Sequence, residues 1–187
     1  AADVPSTTHL VAVDADGNGV SMTSTIESEF GSKIFVRGFL LNNQLTDFSL
    51  NPVDARQRPV ANRVEAGKRP RSAMAPLVVL HEGRLHLLVG SPGGSSIINF
   101  VAKTLVGVLD WRLDIQQAIA LPNMGSRNRD TELELGSVLE LLRDDLRAQG
   151  HRVNIMPLPS GLHAIMVTPD GLAGGADPRR EGVAVGD

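Results

Sequence analysis

The first part of the chain has the pattern of short strands separated by polar turns. Thr8 to Val13 alternates loosely between polar and apolar residues, Asp14–Gly19 supplies residues typical of a turn, and Val20–Ile26 resumes the extended pattern. This arrangement predicts a β-hairpin. A further apolar run, Ile34–Leu41, predicts another strand.

A polar stretch rich in proline and arginine, Asn51–Pro70, predicts a long loop. Loops of this length usually have a function or lack fixed structure. After this loop, Leu77–Leu80 and Arg84–Val89 flank the turn residues His81-Glu82-Gly83. That arrangement predicts a second β-hairpin.

Apolar residues then recur at helical spacing. Ser95–Leu109 has the length and the apolar face of a helix, and Asp114–Ala120 predicts a short helix that begins at Asp114. Ser137–Gln149 gives the clearest helical pattern, and Gly150 follows as the residue that ends it. The apolar residues of this pattern are Val138, Leu139, Leu141, Leu142 and Leu146.

Two late strands, Arg152–Met156 and His163–Thr168, and a turn at Pro169-Asp170-Gly171 complete the pattern. The order of strands, then helices, then strands predicts an α+β layer structure. One helical layer on one sheet would leave the other face of that sheet bare. A partner chain could cover that face, so the pattern is compatible with half of a larger molecule.

The composition excludes several classes of protein. The chain has 187 residues, which suggests one domain, and its net charge of -3 requires neither a nucleic acid nor an anionic membrane as partner. Aromatic residues make up 3%, too few for a base-stacking platform. The absence of cysteine excludes disulfides, thiol catalysis and zinc–thiolate sites. No apolar run has the roughly 18 residues of a membrane span. No leader opens the chain, so we expect a cytosolic protein or a downstream fragment.

The segment Ser6-Thr7-Thr8-His9 offers a candidate nucleophile. A threonine hydroxyl needs a neighbouring base, and an N-terminal threonine carries one in its own α-amino group. Ala1–Ser6 precede Thr7 here, so its nitrogen is an amide and is not basic. By pattern alone, the start of an exposed strand is the favoured explanation of this segment.

A glycine turn, Ser91-Pro92-Gly93-Gly94-Ser95-Ser96, leads into the first predicted helix. Glycines let the backbone approach a ligand, and a helix N-terminus can hold a developing oxyanion. A plain tight turn is the alternative. The segment lacks the lysine of a phosphate-binding loop, and the five histidines lack metal-ligand spacing. We therefore expect no cofactor and no bound metal.

Polar groups follow the Ile34–Leu41 strand at Asn42-Asn43-Gln44-Leu45-Thr46-Asp47. Amide and carboxylate groups could bind an amino acid there, although an Asx-rich turn accounts for the same residues. Lys68-Arg69-Pro70-Arg71-Ser72 could bind a carboxylate or remain a solvated basic loop.

Taken in order, these segments resemble the small subunit of gamma-glutamyltransferases, also called glutathione hydrolases, over nearly the whole chain from Thr7. The matching segments are Thr7-Thr8-His9, Asp16-Gly17-Asn18, Thr25 with Phe30-Gly31, Leu40-Leu41-Asn42-Asn43-Gln44 with Asp47-Phe48, Gly67-Lys68-Arg69-Pro70, Gly90-Ser91-Pro92-Gly93-Gly94 and Asp177-Pro178-Arg179.

The resemblance implies an N-terminal-nucleophile hydrolase with a four-layer αββα fold, of which this chain supplies part. In that family a precursor cleaves itself before the nucleophilic threonine, and the large and small subunits stay together. Ala1–Ser6 would then be the tail of the large subunit or an uncleaved linker, and residues 7–187 the small catalytic subunit. The freed threonine attacks the γ-glutamyl amide of glutathione, and water or an amino-acid or peptide acceptor receives the γ-glutamyl group.

By resemblance, Thr7 is the nucleophile and Thr25 hydrogen-bonds its amine. The other residues carried over by resemblance hold the glutamate α-amino group (Glu27, Gln44 and Asp47), contact its α-carboxylate (Ser72) and form the oxyanion hole (Gly93 and Gly94). The family's carboxylate-binding arginine comes from the large subunit.

Ala73 stands where many members of the family carry a second serine, so a glutaryl-type substrate of a cephalosporin acylase is an alternative. A catalytically silent interaction domain is another. The resemblance also implies a periplasmic or secreted bacterial protein. We expect the isolated, unprocessed chain to be inactive, because it lacks the large subunit and a free Thr7 amine.

Overall fold

A computed structural model describes residues 7–186 of the chain. The predicted segment Ala1–Ser6 lies outside the described residues. Along the described part, the α-helices are α1 (Ile97–Leu109), α2 (Ile115–Ala120) and α3 (Arg143–Ala148). The strands are β1 (Thr7–Val13), β2 (Gly19–Thr25), β3 (Phe35–Val36), β4 (Phe39–Leu40), β5 (Leu77–His81), β6 (Arg84–Gly90), β7 (Met124–Ser126), β8 (Thr131–Glu134), β9 (Val153–Met156), β10 (His163–Thr168) and β11 (Gly171–Ala176).

The central sheet is antiparallel, with the strand order β11-β10-β6-β5. Side chains on a strand alternate between the two faces of the sheet. Leu87 and Val89 of β6 belong to the apolar core with α1 and α2, whereas Leu88 lies under Gly19 of β2. All three side chains are fully buried, so β6 is covered on both faces.

The β1–β2 hairpin is confirmed, and its turn fixes its register. Asp14 accepts hydrogen bonds from the backbone N–H groups of Asp16 and Asn18, and Gly17 adopts a positive φ of 84°. This turn pairs Val13 with Gly19, so the antiparallel register places Thr7 opposite Thr25. The turn thus determines which residues meet at the far end of the hairpin.

The predicted helices at 95–109 and 114–120 are confirmed, with small changes at their starts. A 3-10 turn, Gly94–Ser96, precedes α1. Asp114 caps α2 by accepting a hydrogen bond from the Gln117 N–H at 2.9 Å. The structure also confirms the second hairpin, β5–β6, and the late strands β9 and β10. The long loop at 51–70 is confirmed as well, and its β-pairing is limited to isolated bridges.

Two predictions of regular elements were wrong. Ile34–Leu41 is not one strand, because Arg37 and Gly38 adopt positive φ and fold it into the small β3–β4 hairpin. Ser137–Gln149 is not one α-helix either: a 3-10 helix occupies Val138–Leu142 before α3 begins. Most of its apolar side chains stay exposed, with Val138 at 70% and Leu141 at 82%.

The expectation of a bare sheet face was wrong in part. The β1–β2 hairpin packs over that face: Ser21 donates to the Val89 carbonyl at 3.3 Å, and the His9 ring lies against Gly90. The chain is therefore of the α+β class, with helices on one face of the sheet and a hairpin on the other. Among the residues from 7 to 186, no helix is long and apolar enough to cross a membrane.

Candidate active site

A cavity of about 580 Å³ opens where the β1–β2 hairpin ends. One wall is formed by the hairpin end, the 3-10 helix Gln44–Asp47 and residues 71–74, and the other by the start of α1 and the β7–β8 turn. The lining residues are Thr7, Thr25, Glu27, Gln44, Asp47, Arg71, Ser72, Ala73, Met74, Gly94, Ser95, Ile97, Ile98, Asn99, Ser126, Arg127 and Asn128.

Thr7 and Thr25 form the hydroxyl pair of this cavity. The Thr7 Oγ1 donates to Thr25 Oγ1 at 3.0 Å, and the backbone N–H of Glu27 donates to the same oxygen at 2.9 Å. Glu27 reaches this position in a left-handed backbone conformation with a φ of 74°, which is strained for a residue with a Cβ. The hairpin register and the turn after β2 together orient the Thr7 hydroxyl.

Glu27 is also held from the Asn42–Asp47 segment. Asn43 donates its side-chain N–H to the Glu27 carboxylate and to Thr46 Oγ1, the latter at 2.9 Å. The Asn43 Oδ1 accepts from the Ser28 N–H at 3.0 Å. Asn43 therefore connects the residue after β2 to the 3-10 helix that carries Gln44 and Asp47.

The polar groups beside this connection suit a cationic ligand. Burial and the neighbouring Glu27 carboxylate raise the pKa of Asp47, and Arg71 offsets part of this shift. The Gln44 Oε1 is buried and accepts no hydrogen bond from the described part of the chain. An unsatisfied buried acceptor carries a desolvation cost that a donor would remove. An ammonium group between Gln44 and Asp47 would supply that donor.

The glycine turn at the start of α1 forms the opposite wall. Gly93 has a φ of 135° and Gly94 a φ of 57°, conformations that favour glycine. A Cβ added at Gly93 would lie 2.5 Å from the Phe100 ring, so the turn is packed directly against α1. The first turn of a helix presents backbone N–H groups, which suit an anion.

A buried cluster fixes the chain next to this turn. Ser91 Oγ accepts from the Gly161 N–H at 3.1 Å and donates to the Pro92 carbonyl at 2.6 Å. Asp177 accepts from Ser160 Oγ and, at 3.1 Å, from the Leu162 N–H. Ser91, Ser160 and Asp177 are almost fully buried, so the turn rests on a buried polar network.

Asp177 remains ionised inside this network. Burial alone would raise its pKa, but hydrogen bonds from Ser160, Arg179 and Leu162 and the Arg179 charge outweigh that effect and lower it. Arg179 also pairs with Glu134 and donates to the Leu121 carbonyl at 3.1 Å. We call Ser91, Ser160, Asp177, Arg179 and Glu134 the Asp177 cluster.

His9 lies beneath the same turn. Its Nδ1 is 2.8 Å from Thr23 Oγ1, and its ring covers Gly90, the residue before Ser91. Burial, with a smaller contribution from the His163 charge, lowers the pKa of His9 to about 4. The imidazole is therefore neutral near pH 7 and acts as a packing group, as expected for a structural histidine.

The structure brings the predicted site residues together. Thr7, Thr25, Glu27, Gln44, Asp47, Ser72 and Gly94 all line the cavity, and Gly93 stands one residue behind Gly94. Sequence reasoning did not assign Arg127 and Asn128, because the β7–β8 turn that carries them was not predicted. Within the described range 7–186, no group of three or more acidic, histidine or cysteine side chains could hold a metal ion.

The cavity thus brings together a threonine hydroxyl, a glycine turn at the start of a helix and a cluster of amide and carboxylate groups. The sequence profile of the family Gamma-glutamyltranspeptidase matches residues 1–187. The chain belongs to this family.

Its relatives cover it almost completely. The Escherichia coli glutathione hydrolase proenzyme is 39% identical over 92% of this chain and 31% of its own length. An acylase, ACY 1 proenzyme of a Pseudomonas species, is 34% identical over 96% of the chain and 32% of its own length. The chain thus spans about a third of the curated relatives it matches. A mutant Helicobacter pylori gamma-glutamyltranspeptidase superposes with a TM-score of 0.82 at 34% identity, over 92% of this chain and 100% of that chain.

Proposed function

We propose that this chain is the catalytic small subunit of a gamma-glutamyltransferase. It would transfer the γ-glutamyl group of glutathione or related compounds to water or to an amino-acid or peptide acceptor. The observation that carries the proposal is the Thr7 hydroxyl, 3.0 Å from Thr25 Oγ1, in one cavity with Gly94 and the Glu27–Gln44–Asp47 cluster.

The reaction begins with scission of the Ser6–Thr7 bond, which turns the Thr7 amide into an amine. An α-amine has a pKa of about 7.7–8.0, which suits a general base near neutral pH. Thr7 Oγ1 attacks the γ-carbonyl carbon and passes its proton to this amine, while N–H groups of the Gly93–Gly94 turn bind the oxyanion. The C–N bond then breaks, the amine leaves with the proton, and a Thr7 ester remains. Water or an acceptor amine attacks the ester and releases Thr7.

The substrate head would lie on the hairpin side of the cavity. Its α-ammonium would donate to Gln44 Oε1 and to the Asp47 and Glu27 carboxylates, which satisfies the buried acceptor. Ser72 would donate to its α-carboxylate. Asp47 and Glu27 favour an amino acid over a glutaryl group, because a glutaryl group has no ammonium to compensate two carboxylates.

The large subunit of the same precursor is the proposed partner, and the two chains together would complete the αββα sandwich. Exposed apolar side chains on this chain suit such a partner: Phe35 is 69% exposed and Leu141 82%. The partner would also supply the arginine for the substrate α-carboxylate. We place the protein in the periplasm or outside the cell, following the resemblance.

A cephalosporin acylase of the same family is the second candidate. Ala73 lines the cavity beside Ser72 and offers no hydroxyl to an α-carboxylate, and the ACY 1 relatives are acylases by name. Release of p-nitroaniline from γ-glutamyl-p-nitroanilide, compared with cleavage of glutaryl-cephalosporin, separates the two. A silent interaction domain would cleave neither substrate and would keep Ser6 joined to Thr7.

The decisive experiment uses the full-length precursor with both subunits. Thr7→Ala should stay uncleaved and release no p-nitroaniline. Thr8→Ala is the matched control, because Thr8 is the adjacent threonine, is exposed and does not line the cavity. It should be cleaved, and N-terminal sequencing should find a small subunit that begins at Thr7. Cleavage and full activity of Thr7→Ala would overturn the proposal.

A further inference from the structure

Arg127 is a charged group in the cavity that the proposed reaction does not use. It lies in the β7–β8 turn, which Asn99 of α1 supports through close contact with Gly125. The Arg127 Nη1 donates to Ser95 Oγ at 2.6 Å. Ser95 follows Gly94, so this guanidinium lies one residue from the proposed oxyanion turn.

The hydrogen bonds that Arg127 makes leave several donors of its guanidinium available for a ligand. A guanidinium carries five N–H donors. Within the described residues, one of them goes to Ser95 and another to the Glu132 carboxylate. The Glu132 side chain is 10% exposed and that of Arg127 40%, so a buried anchor holds a guanidinium that still faces solvent. Such an arrangement limits the entropy lost when the arginine binds an anion.

The proposed position of the scissile bond indicates which anionic group Arg127 would bind. The acyl group would occupy the wall with Glu27, Gln44 and Asp47, and its carbonyl would lie between Thr7 and the glycine turn. Arg71, the other arginine in the cavity, stands on the acyl side, where its charge acts on Asp47. Within this chain, the part of the second wall that carries Arg127 and Asn128 is then left for the leaving amine and for the acceptor amine that later replaces it.

We propose that Arg127, with Asn128 beside it, binds the free carboxylate of the peptide on the amine side of the scissile bond. This ligand would be the C-terminal carboxylate of the leaving peptide or of a peptide acceptor. The guanidinium presents paired donors that match a carboxylate. The inference rests on the proposed γ-glutamyl transfer and adds a preference for acceptors that end in a carboxylate.

The test compares two acceptors with the processed, two-subunit enzyme and γ-glutamyl-p-nitroanilide as donor. Glycylglycine carries the carboxylate and glycylglycine amide lacks it. We expect the wild-type enzyme to favour glycylglycine in acceptor kcat/KM by about 10-fold or more, the usual effect of a charge-assisted hydrogen bond. The difference in basicity between the two acceptor amines cancels when this ratio is compared between variants.

In Arg127→Gln, the ratio should fall close to the value that the difference in amine basicity between the two acceptors gives by itself. Arg127→Lys should retain part of the preference for glycylglycine. Arg129→Gln is the matched control, because Arg129 is an exposed arginine of the same turn outside the lining of the cavity. A wild-type ratio in Arg127→Gln, or an equal loss in Arg129→Gln, would overturn the inference. A wild-type enzyme that releases no p-nitroaniline would instead refute the proposed function, and the inference with it.

Discussion

The two walls of the cavity are built differently. The glycine-turn wall rests on α1 and on the Asp177 cluster, where Ser91, Ser160 and Asp177 are at most 2% exposed. The hairpin wall consists of a 3-10 helix with no buried residue, a glutamate at positive φ and hydrogen bonds centred on Asn43. One wall belongs to the core of this chain, and the other lies at its surface.

This difference separates two tasks. Oxyanion binding requires donors that are fixed before the reaction, and a buried hydrogen-bond network provides such rigidity. In the proposed reaction, substrate recognition on the hairpin wall would depend on exposed groups that a partner chain can cover. Mutations in the first wall should therefore affect stability and kcat together, whereas mutations in the second should affect KM.

The largest effect is expected from Asp177→Ala. This change removes the buried carboxylate that accepts from Ser160, Leu162 and Arg179, and it leaves Arg179 paired with Glu134 alone. Breaking a buried pair costs about 3–5 kcal/mol. Urea unfolding of the full-length protein should show this loss, together with a lower kcat. Asp170→Ala, at an exposed aspartate in the β10–β11 turn, should change stability by less than about 0.5 kcal/mol. Equal effects of both substitutions would remove the distinction between the walls.

Gly93→Ala should have the next largest effect. Its Cβ would meet the Phe100 ring and force an alanine into a φ of 135°, at a combined cost of about 2–4 kcal/mol. Gly136→Ala provides the control, because Gly136 also has a positive φ, 79°, but no atom lies near its missing Cβ. That variant should lose about 1 kcal/mol and remain active. If the Gly93→Ala enzyme were active and stable, the Gly93–Gly94 turn would not be held rigidly against α1.

Local sequence pattern was sufficient where local chemistry determines the structure. Asp14–Gly19 predicted the first hairpin because its side chains close the turn, and the register that follows brings Thr7 to Thr25. The pattern failed where distant contacts decide: Leu141 predicted a helix face packed on this chain, yet its side chain is largely exposed among the described residues. The β11 strand, rich in glycine and alanine, has little strand propensity and was missed.

The candidate site shows the same limit. Thr7, Gly94 and Asp47 were assigned through resemblance, since each segment alone had an ordinary alternative. Arg127 contacts Ser95 across 32 positions of the chain, a separation that no local pattern reveals. Its place in the cavity depends on how the β7–β8 turn packs against α1.

A smaller, pH-dependent effect on stability should come from His9, which packs beneath the glycine-turn wall. Its pKa in the folded protein is about 4, below the ordinary histidine value of 6.5, so the unfolded chain binds more protons between these pH values. Stability should therefore fall as the pH drops from 6.5 to 4, by up to about 3 kcal/mol. Melting temperatures across this range should fall less steeply in His9→Gln than in the wild type. Parallel curves would show that folding does not lower the pKa of His9.

The smallest effect on stability is expected from Asn43→Ala on the hairpin wall. The substitution removes hydrogen bonds to Glu27, Ser28 and Thr46 at the surface, where each contributes about 0.5–1.5 kcal/mol and water can replace the lost partner. Because Gln44 and Asp47 would lose their fixed distance to Glu27, the KM for γ-glutamyl-p-nitroanilide should rise about 10-fold. The kcat should change little, since Thr7 and the glycine turn are untouched. A fall in kcat at constant KM would instead give Asn43 the behaviour expected of the glycine-turn wall, and the functional division of the cavity into two walls would then fail.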